Sequence, residues 1–274
     1  MESATRPNKA KTARRVIEIL EYFDEQKRQA TVMDIARRYR CPQSSTSELL
    51  AIMVEVGLLY KDPSMRYYMP TPRAAMLGSL FQPSAVRDGR LSMLTDRLVA
   101  QTGLGTALMG MVGVNVQIFR WLTGTKPLAT TVPNGLSGGF QKRLCDSAAG
   151  WLLLSTLPAN RMEGMLRRLR AEAPDDSKFN HSELLNNVQK CGRQGFAVGP
   201  AGFSATADMC AVLLPAEPDE RPMVLGFIYE PCDEIDPEAL IALLQKSIHS
   251  VVDVPANAVS FRGGEAPTPI SSAS

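Results

Sequence analysis

The first 70 residues carry an ordered series of helix and turn signals that constrains the fold more than any other feature. Apolar residues at i, i+3, i+4 and i+7 predict a first helix over residues 12–28. Thr31 and Asp34 have the spacing of a capping box, which predicts a short second helix over 31–39. Pro42 disfavours helical backbone at the residue before it, so it separates this helix from the next. The first stripe consists of Val16, Ile19, Leu20 and Phe23.

A third helix and a hairpin complete this segment. The helix is predicted over 43–56 and ends at Gly57, a typical residue just past a helix end. Two short apolar runs follow, 58–61 and 66–69, around a turn at Pro63. Three helices and a two-stranded ribbon predict a winged helix-turn-helix. The expected apolar stripe of the third helix is Leu49, Ile52, Met53 and Val56.

The start of the third helix is small and rich in hydroxyl groups, so it can approach base edges in a major groove about 12 Å wide. Residues 1–75 hold 13 Lys or Arg and 9 Asp or Glu, whereas the rest of the chain holds 17 and 19. This uneven charge suggests that only the first part meets a polyanion. The alternative is a small helical domain with a hairpin and no DNA role.

The candidate DNA contacts fall into three groups. Gln43, Ser44, Thr46 and Ser47 are expected to face the major groove. Lys61 and Arg66 flank the wing turn and are expected to meet phosphates or the minor groove. Arg14 and Arg15 begin the first helix, after a basic tail with Arg6, Lys9 and Lys11.

The remainder of the chain predicts a mixed α+β domain over about 85–253. It opens with an amphipathic helix, 86–102, whose stripe is Leu91, Leu94 and Leu98. The stripe is more apolar than a lone solvent-bridging helix needs, which favours a dimer contact, with burial inside one chain as the alternative. Strand-like runs then alternate with helical stretches at 146–157, 161–171, 182–194 and 236–252. Residues 255–274 are rich in Pro, Gly, Ala and Ser, which predicts disorder.

The order of these segments resembles the IclR family of bacterial transcription regulators over nearly all of residues 12–253. In the first domain the matching stretches are ARRVIEILEYF (13–23), TVMDIARRYRCPQSSTSELLAIMVEVGLL (31–59) and YYMPTPRAAMLG (67–78). In the second domain they are DSAAGWLLLSTLP (146–158) and CGRQGFAV (191–198). The second match is looser and depends on order and spacing.

The resemblance implies four parts and their partners. A winged helix-turn-helix would span 1–80, a linker helix 81–103, a GAF-like α/β effector-binding domain 104–254, and a disordered tail 255–274. Such regulators bind palindromic DNA operators as homodimers or dimers of dimers and respond to a small molecule. Pairing two half-sites about 34 Å apart compensates for the few base contacts of one short helix.

Several positions depart from the family's pattern. Glu48 stands where the family commonly has an arginine; it could accept a hydrogen bond from cytosine, or cap the helix together with Ser45. The positions matched to the effector pocket are Ala148, Ala149, Pro200, Met209, Phe227 and Tyr229. The two alanines would leave helix N–H groups for an anion, whereas the other walls are largely apolar. These residues imply an aromatic or largely apolar acid, or a degenerate sensing domain in which Phe227 and Tyr229 fill the cavity.

Other chemistry has weaker signals. Residues 135–139 match G-x-S-x-G, so a small serine hydrolase using Ser137 is the alternative function; the motif needs a strand before it and a helix after it. Asp175 and Asp176 lack further spaced oxygens, and the five cysteines form no CxxC pair, so neither a metal nor another cofactor is expected. The basic N-terminus has no apolar segment typical of a secretion signal, and no apolar run is long enough for a membrane span, so a cytoplasmic protein is expected.

Overall fold

The computed structural model describes residues 6–23, 27–79, 89–126, 128, 135–173, 179–203, 206–216 and 220–252. The chain forms two compact units, Met1–Gln82 and Pro83–Ser274. The tail 255–274, the aspartates at 175–176 and the start of the predicted linker helix lie outside the described residues.

The described residues of the first unit form four helices and a two-stranded antiparallel ribbon. In chain order these are α1 (Arg6–Tyr22), α2 (Val32–Tyr39), α3 (Gln43–Glu55), β1 (Leu59–Lys61), β2 (Tyr68–Pro70) and α4 (Pro72–Ser79). Its core includes Ile19, Leu50, Met53, Leu59 and Tyr68, one or more from each of α1, α3 and the two strands. The predicted helix-turn-helix and hairpin are confirmed, and α4 is an additional helix.

The first helix has different limits from those predicted. It begins six residues earlier and ends at Tyr22 rather than at 28. Ala30 instead pairs with Tyr68 through two backbone hydrogen bonds of 3.0 and 2.8 Å. Ala30 therefore lies outside the helix and forms a bridge to the wing. This tertiary contact cannot be read from the apolar stripe of the first helix.

The buried face of α3 is rotated from the predicted stripe. Thr46, Leu49, Leu50 and Met53 are buried, whereas Ile52 and Val56 are 48% and 47% exposed. The helix is apolar along its second half, so two neighbouring faces compete for the core. The one containing Leu50 is selected by packing against α1 and the wing.

In the part of the second unit that the structure describes, six strands form an antiparallel sheet of order β5-β4-β3-β8-β7-β6. The strands are β3 (Gly105–Val112), β4 (Asn115–Leu122), β5 (Gln141–Arg143), β6 (Phe196–Pro200), β7 (Asp208–Leu213) and β8 (Met223–Tyr229). The helices are α5 (Arg90–Thr102), α6 (Ala148–Leu154), α7 (Ala159–Ala171), α8 (His181–Gln194) and α9 (Pro237–Val252). The α+β class is confirmed.

Two apolar cores lie on opposite faces of this sheet. On one face, α6, α7 and α8 pack against alternate residues of β7 and β8, including Met209 and Ile228. On the other face, α5 and α9 cover the intervening residues, including Cys210 and Phe227. We call these the α6 face and the α5 face.

The leucine stripe of α5 is buried within the chain. Leu91, Leu94 and Leu98 are 5%, 3% and 0% exposed and belong to the core of the α5 face. The sheet and α9 therefore bury these leucines within one chain. The dimer contact predicted from the stripe is not required for their burial.

Candidate DNA-binding surface and sensing domain

The turn between α2 and α3 is set by local chemistry. The Thr31 hydroxyl accepts from the backbone N–H of Asp34, and the Asp34 carboxylate accepts from that of Thr31, so the predicted capping box is present. The Thr31 hydroxyl also donates to the Asp34 carboxylate at 2.7 Å, and this hydrogen bond, together with the one from the Thr31 N–H, lowers the pKa of Asp34. At the other end Arg40 adopts a left-handed conformation, φ 50°, which ends α2 and redirects the chain.

The start of α3 presents an exposed polar edge. Gln43, Ser44 and Ser47 are exposed, as an interface with base edges needs. Thr46 does not share that edge: it is 5% exposed, and its hydroxyl donates to the carbonyl of Pro42 at 2.9 Å. Its predicted position facing a groove is therefore corrected, because the rotation of α3 turns it into the core.

Glu48 does not cap α3 with Ser45. The helix has Pro42 as its N-cap, and the Ser45 hydroxyl donates to the Pro42 carbonyl at 3.1 Å. Glu48 lies one turn further along the helix than a capping box requires. Its side chain is exposed, as are those of Ser44 and Ser47.

The wing turn is ordered by one carboxylate. The side chain of Asp62 accepts hydrogen bonds from the backbone N–H of Met65, the hydroxyl of Ser64 and the backbone N–H of Ser64, and these bonds lower its pKa. Arg66 has a positive φ of 59° and is exposed. Lys61 is also exposed, with its Nζ 5.6 Å from the centre of the Tyr68 ring. The turn therefore holds two cations at the tip of the ribbon.

The two arginines of α1 differ in their surroundings. Arg14 is exposed. Arg15 forms an ion pair with Glu18 at 3.0 Å and lies 5.4 Å from the Tyr39 ring centre. Arg15 therefore holds α1 against α2, a contact that the sequence pattern did not indicate.

The residues matched to an effector pocket do not form one cluster. Ala148, Ala149 and Met209 are fully buried on the α6 face. Phe227 and Tyr229 are buried on the α5 face. Pro200 is exposed at the end of β6. The predicted single pocket is corrected: the sheet separates its two aromatic residues from its two alanines.

The strand register explains this division. Met209 lies opposite Ile228, and Cys210 lies opposite Phe227. Side chains alternate between faces along a strand, so a match displaced by one residue moves a side chain to the other face. The β8 residues on the α6 face are therefore Val224 and Ile228.

Tyr229 has an unusual environment on the α5 face. Its hydroxyl is buried without a hydrogen-bond partner. Burial raises its pKa, and the neighbouring Cys210 and Asp208 add to that shift. Burial also raises the pKa of Cys210 to about 12, so both groups are neutral at physiological pH.

Ser137 lacks the context of a nucleophile elbow. Its side chain is exposed, and its hydroxyl donates to the carbonyl of the next residue, Gly138, at 3.4 Å. The next element is strand β5 rather than the required helix. Within the described ranges, no group of three or more His, Cys, Asp or Glu side chains could hold a metal ion. No helix in that part of the chain is both long and apolar enough to cross a membrane.

Known proteins resemble the first unit in sequence and both units in fold. Residues 12–63 match the IclR helix-turn-helix domain. An IclR homolog from Microbacterium hydrocarbonoxydans, solved with 4-hydroxybenzoate, is 18% identical over 88% of this chain and 97% of its own, with a TM-score of 0.57. The Thermotoga maritima IclR is 15% identical over 89% and 95%, with a TM-score of 0.56. An IclR transcriptional regulator from Alicyclobacillus acidocaldarius is 20% identical over 91% and 97%, with a TM-score of 0.54. None of the curated proteins matches this sequence.

The first unit thus contains an IclR helix-turn-helix domain, and the second unit is a separate α+β domain. The match to the first unit and the shared fold of both units confirm the resemblance to the IclR-family transcription regulators.

Proposed function

We propose that this protein is a cytoplasmic, homodimeric regulator that binds an operator through the start of α3 and the wing. The observation that carries this proposal is the exposed edge of Gln43, Ser44 and Ser47 beside a capped α2. Helix-turn-helix proteins place the start of the second helix of the motif, which is α3 here, in the major groove. Lys61 and Arg66 at the wing tip, and Arg14 on α1, supply the cations for phosphates.

The experiment is a selection of bound fragments from the source genome, followed by binding titrations at several salt concentrations. Lys61→Ala or Arg66→Ala should weaken binding to all fragments and lower the salt slope by about one unit each. Gln43→Ala or Ser44→Ala should instead alter preference between fragments. Arg167→Ala, an exposed residue of α7, is the control with the same change in charge. An unchanged affinity and salt slope in Arg66→Ala would reject the assignment of the wing.

We further propose that an aromatic or largely apolar acid is the effector and that it binds on the α6 face. That face carries Ala148, Ala149 and Met209 together with the aromatic pair Phe140 and Phe203, whose ring centres are 5.9 Å apart. The relative from M. hydrocarbonoxydans binds an aromatic acid. Burying apolar area contributes about 25 cal/mol per Å², whereas each unpaired polar group of a short hydrophilic acid costs about 1–3 kcal/mol.

Thermal unfolding with a panel of acids tests the effector proposal. 4-Hydroxybenzoate or a related aromatic acid should raise the melting temperature of the wild type by clearly more than that of Ile228→Trp, which fills the α6 face. Stabilisation by glyoxylate alone, or by no acid in the panel, would reject an aromatic effector.

A regulator whose second domain binds no effector is the second candidate. Ala148, Ala149 and Met209 each have 0% exposure, so the α6 face at these positions is closely packed. In that case DNA binding would respond to none of the acids in the panel.

A further inference from the structure

A separate cavity of about 430 Å³ lies on the α5 face of the sheet. Its walls come from α5, β3, β4 and β8, all in the second unit. The α6 face proposed for the effector lies across the sheet, so the two sites share no lining residue. The lining side chains are Leu91, Ser92, Thr95, Leu108, Phe119, Arg120 and Met223.

An irregularity in β4 brings two consecutive side chains to this cavity. Arg120 lies opposite Leu108, but Met109 lies opposite Ile118, so Phe119 is an extra residue in the ladder. In a regular strand Phe119 and Arg120 would point to opposite faces. Here both line the cavity, and the Phe119 ring packs so closely on Gly110 that a Cβ there would collide with it.

The chemistry of the walls is uneven. Leu91, Leu108, Phe119 and Met223 provide apolar surface, and a methionine can adapt to the shape of a guest. The polar lining residues are Arg120 and Ser92, which are hydrogen-bonded to each other, and Thr95, whose hydroxyl donates to the Ser92 carbonyl. Few polar groups among apolar walls are typical of a small-molecule site.

The cation can accept a new partner at low cost. Arg120 donates to the Ser92 hydroxyl and lies 3.5 Å from the Asp96 carboxylate. The side chains of that ion pair are 38% and 60% exposed, and exposed pairs contribute little free energy. A ligand carboxylate could therefore replace Asp96 and form a two-pronged contact with the guanidinium.

We propose that this cavity is a second ligand site, for a small aromatic monocarboxylate. The ring would lie against Phe119 and Met223, and the carboxylate would accept hydrogen bonds from Arg120 and Ser92. Offset or edge contacts between the rings favour an aromatic over a purely aliphatic acid. This inference does not depend on the proposed effector site.

The test is a titration of the full-length protein, labelled with ¹³C at its methionine methyl groups, with benzoate. Met223 reports this cavity, and Met209 reports the α6 face; Met223→Leu and Met209→Leu assign the two signals. Benzoate should shift the Met223 signal, whereas neutral benzamide should not at the same concentration. Arg120→Gln should weaken the benzoate affinity read at Met223 at least about tenfold. Arg97→Gln, an exposed residue of α5, should leave it unchanged.

A cavity-filling variant keeps the test decisive. Ser92→Phe should abolish the Met223 response while the remaining methionine signals show a folded protein. A shift at Met209 with no shift at Met223 would overturn this inference and leave the proposed effector site standing. A Met223 shift that survives both Arg120→Gln and Ser92→Phe would also overturn it. No shift at either methionine would overturn this inference and count against the effector proposal as well.

Discussion

Among single residues, the hydroxyl groups of Tyr229 and Tyr39 are expected to have opposite effects on the stability of the fold. The Tyr229 hydroxyl is buried without a partner. The Tyr39 hydroxyl donates to the carbonyl of Glu18 and joins α2 to α1. A buried polar group without a hydrogen bond costs free energy, whereas a satisfied one contributes about 0.5–1.5 kcal/mol.

We therefore expect Tyr229→Phe to leave the second unit as stable as the wild type or to stabilise it by about 1 kcal/mol. Urea unfolding followed by tryptophan fluorescence measures this, since both tryptophans, Trp121 and Trp151, lie in that unit. Tyr39→Phe is the matched control and should destabilise the first unit by about 0.5–1.5 kcal/mol, read by circular dichroism. A loss above about 1 kcal/mol in Tyr229→Phe would mean that its hydroxyl has a partner in solution.

At the scale of elements, the capping box of α2 links helix stability to pH. The lowered pKa of Asp34 means that its ionised form is favoured by folding. Its contribution is present above the unfolded-state pKa, which is near 3.8, and is lost as pH falls through the lower folded-state value. Because Asp34 is accessible to solvent, the effect is screened and remains small.

Asp34→Asn should therefore destabilise the first unit at pH 7 by a few tenths of a kcal/mol to about 1 kcal/mol. The difference from wild type should shrink as the pH falls through the lowered folded-state pKa of Asp34, because the wild-type carboxyl is then also protonated. Thr31→Ala should lower the free energy of unfolding of the first unit by about 1 kcal/mol. Part of this loss should remain at low pH, because the neutral Thr31 hydroxyl of the wild type caps the helix at any pH. Unfolding titrations of both variants across pH 2–7 check this, and a difference for Asp34→Asn that does not decrease as the pH falls below about 4 would contradict it.

The same elements show which features of the fold can be predicted from sequence. The limits of α2 and the end of α3 followed from Thr31, Asp34 and Gly57, whose roles are local. The end of α1 did not, because it depends on the pairing of Ala30 with Tyr68, 38 residues away along the chain.

The candidate sites divide in the same way. The exposed edge of α3 could be predicted, except for Thr46, because small polar residues concentrate there. The β8 residues matched to an effector pocket could not be placed on a face from the sequence, since every residue of that strand is buried. A strand that is apolar on both sides has no alternation to fix its register, and only the pairing with β7 does so.

For the molecule as a whole, the proposed functions require that ligand binding to the second unit is thermodynamically coupled to DNA binding by the first. The first unit holds the cationic wing and the polar edge of α3, and the second holds the sheet with its two cores. If an acid bound to the second unit changes the affinity of the first for DNA, then DNA must change the affinity for the acid by the same factor. Such factors are typically about 5–150-fold, so both halves of the cycle can be measured.

We expect 4-hydroxybenzoate to shift the dissociation constant for a selected operator, and saturating operator to shift the dissociation constant for 4-hydroxybenzoate equally. Anisotropy of labelled DNA gives the first quantity, and calorimetry with and without DNA gives the second. Ile228→Trp should remove both shifts together while leaving DNA binding in the absence of the acid intact. Sodium chloride at matched concentration controls for ionic strength, to which DNA binding is sensitive. A shift in operator affinity without the reciprocal shift would show that the acid acts on DNA binding by some route other than a site on this protein.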